Sequence, residues 1–315
     1  MSRRCRLNVF NLRVPSAALT FAFERPQDRV KNLTLPPIDD VRKRSHVTDA
    51  PLFCDGEAIC GKLIVTVESG KRLEHRGLTL ELVGYIEQEL DRSAARHEVL
   101  SCSRALQSSG QVLEGDESFA FDFANVGALY DSYYGRRVTL RYGLRATLAR
   151  GKYASSVVHE QGVCIQQVVP SPAMSNGPLK MEVGIEECLH IEFKYGKSTY
   201  HLNDVVVGRI SFVVVQIKIK HMELAILRRE SVTSGAPRRS ERDTIAKFEV
   251  MDGAPVEGES IPVRMYLAPY ALTPTYYNVH GQFSVTYFLN LVLVDEDDCR
   301  YFKQQEITLW RKTVG

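Results

Sequence analysis

The sequence predicts an all-β protein built as two β-sandwich domains in tandem, joined by a short linker. Three observations carry this reading. Val138 to Leu148 and Phe283 to Leu293 both alternate apolar and polar side chains, the pattern of a strand with one face in a core. The two stretches align position for position: Val138 with Phe283, Leu140 with Val285, Tyr142 with Tyr287 and Leu144 with Leu289, 145 residues apart. Further landmarks repeat in the same order, Gly61-Lys62-Leu63 against Gly208-Arg209-Ile210 and Leu78, Leu80 and Leu82 against Met222, Leu224 and Ile226. Such spacing marks two units of one design. Nowhere does a long stretch carry helical periodicity, and 315 residues divide into two cores of about 150 residues, a usual domain size.

Taken in order, residues 1–50 are the hardest to read. Leu19 to Phe23 reads as a strand, and Arg25 to Asp49, with Pro36-Pro37 and the basic Arg42-Lys43-Arg44, reads as an extended loop. The first sandwich spans 51–171. Its strands are Ala58 to Val67, Leu78 to Glu87, Ser118 to Phe123 and Arg137 to Leu148, with a turn at Ser69-Gly70-Lys71. Residues 91–110 are ambiguous and compatible with a short helix. Gln166 to Leu179 carries Pro170, Pro172, Gly177 and Pro178, the marks of a linker, which places the boundary near residue 172. The second sandwich, 172–315, has strands at Leu189 to Phe193, Val205 to Ile219, Met222 to Leu227, Ile245 to Met251, Ile261 to Leu267, Phe283 to Val294 and Glu306 to Trp310. Between two of these, Arg228 to Asp243 loses its periodicity and reads as a long basic loop.

Bulk properties narrow the function classes. Hydrophobic content is 44%, charged content 25% and formal net charge +2, which leaves no global pull toward nucleic acid or acidic membranes. No apolar run reaches the length of a bilayer-spanning helix, and Met1 to Arg6 is followed by no apolar core of a secretory signal. The seven cysteines are scattered without a C-x-x-C pair, which reads as reduced thiols in a cytosolic protein. The sequon Asn32-Leu33-Thr34 then goes unused.

Catalytic signatures are weak. Cys188 and His190 stand two apart, on one face of a strand, but a second pair at zinc-ligand spacing is missing, and a buried thiol beside a hydrogen-bonded histidine explains them as well. The chain has no G-x-S-x-G elbow, no H-E-x-x-H and no P-loop. Asp295 to Asp298 lacks the spaced ligands of a calcium loop and reads as a hairpin turn. Arg228, Arg229, Arg238, Arg239 and Arg242 form a basic cluster without interleaved aromatics, the pattern of a solvated loop rather than a nucleic-acid site. Asp252-Gly253 is a turn signal that presents Val250 and Met251 just before a bend. Spacing alone leaves two readings open there: a docking knob, or the end of a strand's core face.

Five segments together resemble a known family: Gly70 to Gly77, Lys180 to Phe193, Ile217 to Leu224, Val250 to Val256 and Tyr301 to Ile307. They are similar to the arrestin-like subunit of retromer, the vacuolar protein sorting coat that recycles cargo from endosomes. The resemblance covers about residues 52–312 and is near-continuous in the second half. It implies two tandem arrestin-like β-sandwiches, no enzymatic activity and no cofactor. It implies docking of the C-terminal domain on the large α-solenoid subunit through Phe248, Val250, Met251, Asp252 and Gly253. The third retromer subunit is then reached only indirectly. Cargo tails with aromatic-x-Leu/Met signals, and a PX-domain sorting nexin, are expected against Val183 and Phe302, and membrane contact mainly through those partners. Residues 1–50 and 91–115 depart from the family pattern, and 228–243 keeps its length but is richer in arginine. An arrestin-type receptor adaptor, the equivalent subunit of a sister recycling complex, a scaffold without a cargo role, and a metal enzyme using Cys188 and His190 are the competing readings.

Overall fold

The structure is a computed structural model that describes residues 17–23, 50–54, 56–90, 93–124, 126, 130–151, 154–167, 179–185, 187–233 and 239–311. Up to residue 167 the strands are β1 (Ala17–Phe23), β2 (Leu52–Cys54), β3 (Ile59–Val67), β4 (Arg72–Glu74), β5 (Gly77–Leu90), β6 (Ser93–Gln107), β7 (Val112–Glu114), β8 (Asp116–Phe123), β9 (Tyr133–Tyr134), β10 (Val138–Ala149) and β11 (Val157–Gln166). From residue 179 they are β12 (Leu179–Ile185), β13 (Leu189–Tyr195), β14 (Thr199–His201), β15 (Val205–Val215), β16 (Ile219–Val232), β17 (Arg239–Asp252), β18 (Ser260–Tyr266), β19 (Tyr276–Val279), β20 (Phe283–Asp295) and β21 (Arg300–Trp310).

These strands make two sandwiches. The first stacks the sheet β1-β3-β8 on β2-β11-β10-β5-β6, and the second stacks β12-β13-β15-β18 on β14-β21-β20-β16-β17. No sheet mixes strands from the two groups. The repeat read from the sequence is a repeat of topology. In both large sheets the central strand, β10 or β20, carries a short extra partner, β9 or β19, and the far edge strand, β2 or β14, runs parallel to its neighbour.

The repeated residues do repeated work. Tyr142 and Tyr287 are buried in the two central strands, and each hydroxyl accepts an N–H from the loop upstream, Tyr130 at 3.2 Å and Thr273 at 3.0 Å. A buried hydroxyl needs such a partner, and burial pushes both phenols above their ordinary pKa. Ser132 and Thr275 are a further matched pair. Each donates its backbone N–H to the carbonyl of Ile165 or Leu309 at 2.9 Å and accepts the N–H of that same residue with its hydroxyl. Gly61 and Gly208 are glycines because the neighbouring strands come too close for a side chain. A Cβ would stand 2.6 Å from the Ala22 carbonyl oxygen in one case and 2.5 Å from Phe193 Cε2 in the other.

Two expectations are corrected. The described residues of the stretch 91–110 hold no helix: Ser93 to Gln107 is β6, a strand hydrogen-bonded to β5 with bulges opposite Leu78/Thr79 and Gly84/Tyr85 that blur its alternation. Within 228–243 the described residues 228–232 and 239–243 are strand, not loop. Arg228 and Arg229 lie on β16 and Arg239 and Arg242 on β17, arms of one antiparallel hairpin; Arg238 lies outside the described residues. Polar residues, Arg228 and Glu230 among them, occupy buried positions there, so hydrophobicity alone does not show the strands. Residues 168–178, and with them the expected boundary near 172, lie outside the described residues, as do 1–16 and 24–49. Asp295 to Asp298 is the β20–β21 turn. The Asp295 carboxylate accepts the N–H groups of Asp297 and Cys299 and the Tyr301 hydroxyl.

The inward polar residues of that hairpin join the sandwiches. Glu230 is 1% exposed, and its carboxylate accepts the Tyr133 hydroxyl at 2.6 Å and the backbone N–H groups of Arg136 and Arg137 at 3.1 and 3.0 Å. Arg228 lies beside it at 3.5 Å and donates to Asp243. Gly135 has no side chain where one would collide with the Glu230 carboxylate. Around this centre Arg136 meets Glu241 and Asp243, Arg137 meets Glu241, Arg311 meets Asp131, and Gln88 donates to Gln282. Tyr133 stacks on Phe283, and Tyr130 meets His280 edge to face.

Gly208→Ala is expected to lower unfolding free energy by about 1–3 kcal/mol through overpacking. Gly151→Ala, where a Cβ meets nothing within 4 Å, should stay within about 0.5 kcal/mol in the same urea titration. Glu230→Ala, which removes one of the two carboxylates beside buried Arg228 and the acceptor of the Tyr133 hydroxyl and two backbone N–H groups, is expected to cost about 3–5 kcal/mol, measured the same way.

Candidate functional site

The expected docking segment sits at the end of β17, the edge strand of the second large sheet. Opposite it on β16, Met222 pairs with Met251 and Glu223 pairs with Glu249, so Val250 is the extra residue of a β-bulge. A bulge bends an edge strand and re-aims a side chain. Gly253 ends the strand at φ +124°, a conformation open to glycine, and its N–H donates to the Lys220 carbonyl at 3.0 Å. Val250 and Met251 are half-buried and pack against the core while keeping part of their surface outside. Of the two readings left open by spacing, the core-end reading is met in part: these side chains finish the core and also face solvent. Phe248, two residues before the bulge, is exposed. Charged groups frame this apolar tip. His221 lies 3.7 Å from Glu223 and 4.0 Å from Glu249, Lys247 pairs with Glu223, and Lys220 meets Asp298 at 2.9 Å.

Val183 and Phe302 are placed differently from each other. Val183 points from β12 into the sandwich and is 5% exposed, whereas Phe302 stands out from β21 at 64% exposed. β12 is the terminal strand of its sheet among the described residues, and it packs beside β21, the strand that carries Phe302.

The thiol and imidazole that the sequence sets side by side do not work together. Cys188 is in the β12–β13 turn, and His190 faces Glu192 at 3.5 Å. Glu182, His190 and Glu192 are the one group among the described residues whose ligand atoms fall within 4.8 Å of one another. Lys180 bonds both carboxylates and Lys194 bonds Glu192 at 2.8 Å, so the position for a cation is already held by an ammonium. Hydrogen bonds from Lys180 and Lys194 pull the Glu192 carboxyl down to about 2. The arrangement is an exposed charge ladder.

Sequence reasoning missed Glu230, Arg228, Tyr133 and Gly135. A signal was present: Leu224, Ile226, Arg228, Glu230 and Val232 share one face of β16, so two charges fall at core-facing positions. Opposite charges in a core call for buried partners.

Comparisons with known proteins agree with this architecture. A profile of the family described as vacuolar protein sorting-associated protein 26 matches residues 29–298. The protein of that name from Dictyostelium discoideum is 51% identical over 264 residues, covering 84% of this chain and 74% of the relative. Vacuolar protein sorting-associated protein 26B-A of Xenopus laevis is 52% identical over 262 residues, covering 83% and 76%. The 26B protein of Mus musculus is 50% identical over the same length, with the same coverage. No helix among the described residues is long and apolar enough to cross a membrane. With two tandem β-sandwiches, a family match over most of its length and relatives at half identity, this chain belongs to the vacuolar protein sorting-associated protein 26 family.

Proposed function

We propose that this chain is a non-enzymatic coat subunit of retromer, working in the return of cargo from endosomes to the Golgi and the plasma membrane. It bridges the large α-solenoid subunit to a PX-domain sorting nexin and to cargo tails, and touches the third retromer subunit only through the solenoid. It acts on the cytosolic face of endosomes. The observation that carries this reading is the apolar tip at the end of β17, where the bulge at Val250 and the turn at Gly253 present Val250 and Met251 inside a charged frame. Apolar anchors surrounded by polar groups are the anatomy of a protein–protein hot spot. The names of the relatives, all vacuolar protein sorting-associated proteins, support the sorting role.

Cargo recognition follows from the free edge of β12. An extended tail can pair its backbone with such an edge and place an apolar side chain against Phe302, with the sorting nexin closing the other side. Val183 then shapes the site from beneath, as part of the core that fixes β12. A receptor adaptor that reads phosphorylated tails needs unpaired cations in a pocket. Here Arg136, Arg137 and Arg228 each already face carboxylates, which favours the coat reading.

Calorimetric titration into the N-terminal part of the cognate solenoid subunit tests the assignment. The parent chain should bind tightly and a folded Val250→Asp/Met251→Asn variant should lose binding by about a hundred-fold or more. No binding by the parent points instead to a receptor adaptor. Phe302→Asp should weaken cargo-peptide binding by the assembled coat about ten-fold or more while leaving solenoid binding intact; unchanged cargo binding would reduce the chain to a scaffold.

A further inference from the structure

The outer face of the sheet β12-β13-β15-β18 carries a row of cations that the docking reading does not use. Lys180 is paired in register with Lys194, and Lys194 with Arg209, so three positive side chains stand side by side on adjacent strands about 5 Å apart. Arg264 on β18 lies opposite Val207 and diagonal to Arg209, within reach of long side chains. The carboxylates of this face, Glu182 and Glu192, are taken by Lys180 and Lys194. Arg209 and Arg264 are exposed and have no carboxylate partner among the described residues. Like charges directly opposite each other destabilise a sheet; Lys194 is offset by Glu192 at 2.8 Å, which leaves Arg209 as the member of the pair without a facing carboxylate among the described residues.

Apolar groups flank the two arginines. Val207 is 52% exposed and Tyr266 59% exposed, on the same face. Tyrosine and branched aliphatic side chains beside basic groups suit the boundary between water and lipid headgroups. The surface is an open sheet face rather than a cleft, and the edge strand β18 carries Pro262, which has no N–H to template an added peptide strand.

We propose that this face is a direct contact for an anionic membrane surface, with Arg209 and Arg264 on lipid headgroups, Lys194 in support, and Val207 and Tyr266 at the headgroup level. This goes beyond the coat reading, in which membrane contact comes mainly through partners. The bond is electrostatic and weak for one copy, and so depends on salt.

The test is co-sedimentation of the full chain with phosphatidylcholine vesicles, with and without phosphatidylserine. The chain should partition onto the anionic vesicles only, and less as salt rises. Arg209→Glu/Arg264→Glu should lower that partitioning about ten-fold or more. Arg209→Gln/Arg264→Gln should give a smaller loss, and guards against misfolding by charge reversal. Lys62→Glu, an exposed cation on the first sandwich, should leave partitioning unchanged. Absence of binding, equal binding to both vesicles, equal binding by parent and arginine variants, or preference for a phosphoserine peptide that displaces the vesicles would each overturn the proposal. Solenoid titration of the same variants keeps its failure distinct from failure of the coat reading.

Discussion

The arrangement of this protein depends on one buried carboxylate. Glu230 leaves water when the second sandwich meets the first, a step that costs several kcal/mol unless every lone pair finds a donor. The donors come from the other sandwich: one hydroxyl of Tyr133 and two consecutive backbone N–H groups at Arg136 and Arg137. That geometry demands a glycine at 135 and a bend at 135–137, so a short loop of one domain is shaped to one side chain of the next. The exposed ion pairs around it, Arg136 with Glu241 and Asp243, contribute little by comparison and are screened by salt. Backbone donors cannot swing away as long side chains do, and so the joint fixes the angle between the sandwiches.

A fixed angle matters for the proposed coat role. The apolar tip at Val250 and Met251, the terminal strand β12, and the basic outer face at Arg209 and Arg264 all belong to the second sandwich but to different sides of it. Each uses an ordinary liability of β-sheets. An edge strand offers unpaired backbone groups, and a sheet face left outside the core offers side chains in a flat array. Local devices limit unwanted pairing: the bulge at Val250, the turn at Gly253, and Pro262 on β18. Recognition then rests on which side chains those edges and faces present.

Much of the fold was legible because hydrophobic alternation reports directly on core-facing strands. The aligned positions from Val138 and from Phe283 are the inward faces of β10 and β20, and the repeated tyrosine and glycine mark the same hydrogen bond and the same close approach in each half. What stayed hidden followed from the same rule. The hairpin of β16 and β17 looked like a loop because Arg228 and Glu230 stand where leucines are expected, and β6 looked helical because two bulges shift its phase. The proposed docking segment was singled out by its Asp252-Gly253 turn and by resemblance, but its bulge depends on pairing with Met222 and Glu223, which local sequence does not reveal. The outer-face arginines were invisible for the opposite reason: single exposed cations are common, and only the strand register sets Lys194 against Arg209.

The measurement that tests the central claim most directly is the distance between spin labels at Lys62 on the first sandwich and Lys218 on the second, in a background freed of reactive cysteines. The parent should give one narrow distribution, and Glu230→Ala a broad one with both sandwiches still folded. A distribution equally broad in the parent, or equally narrow in the variant, would contradict the account of Glu230 as the joint that sets the angle between the two halves.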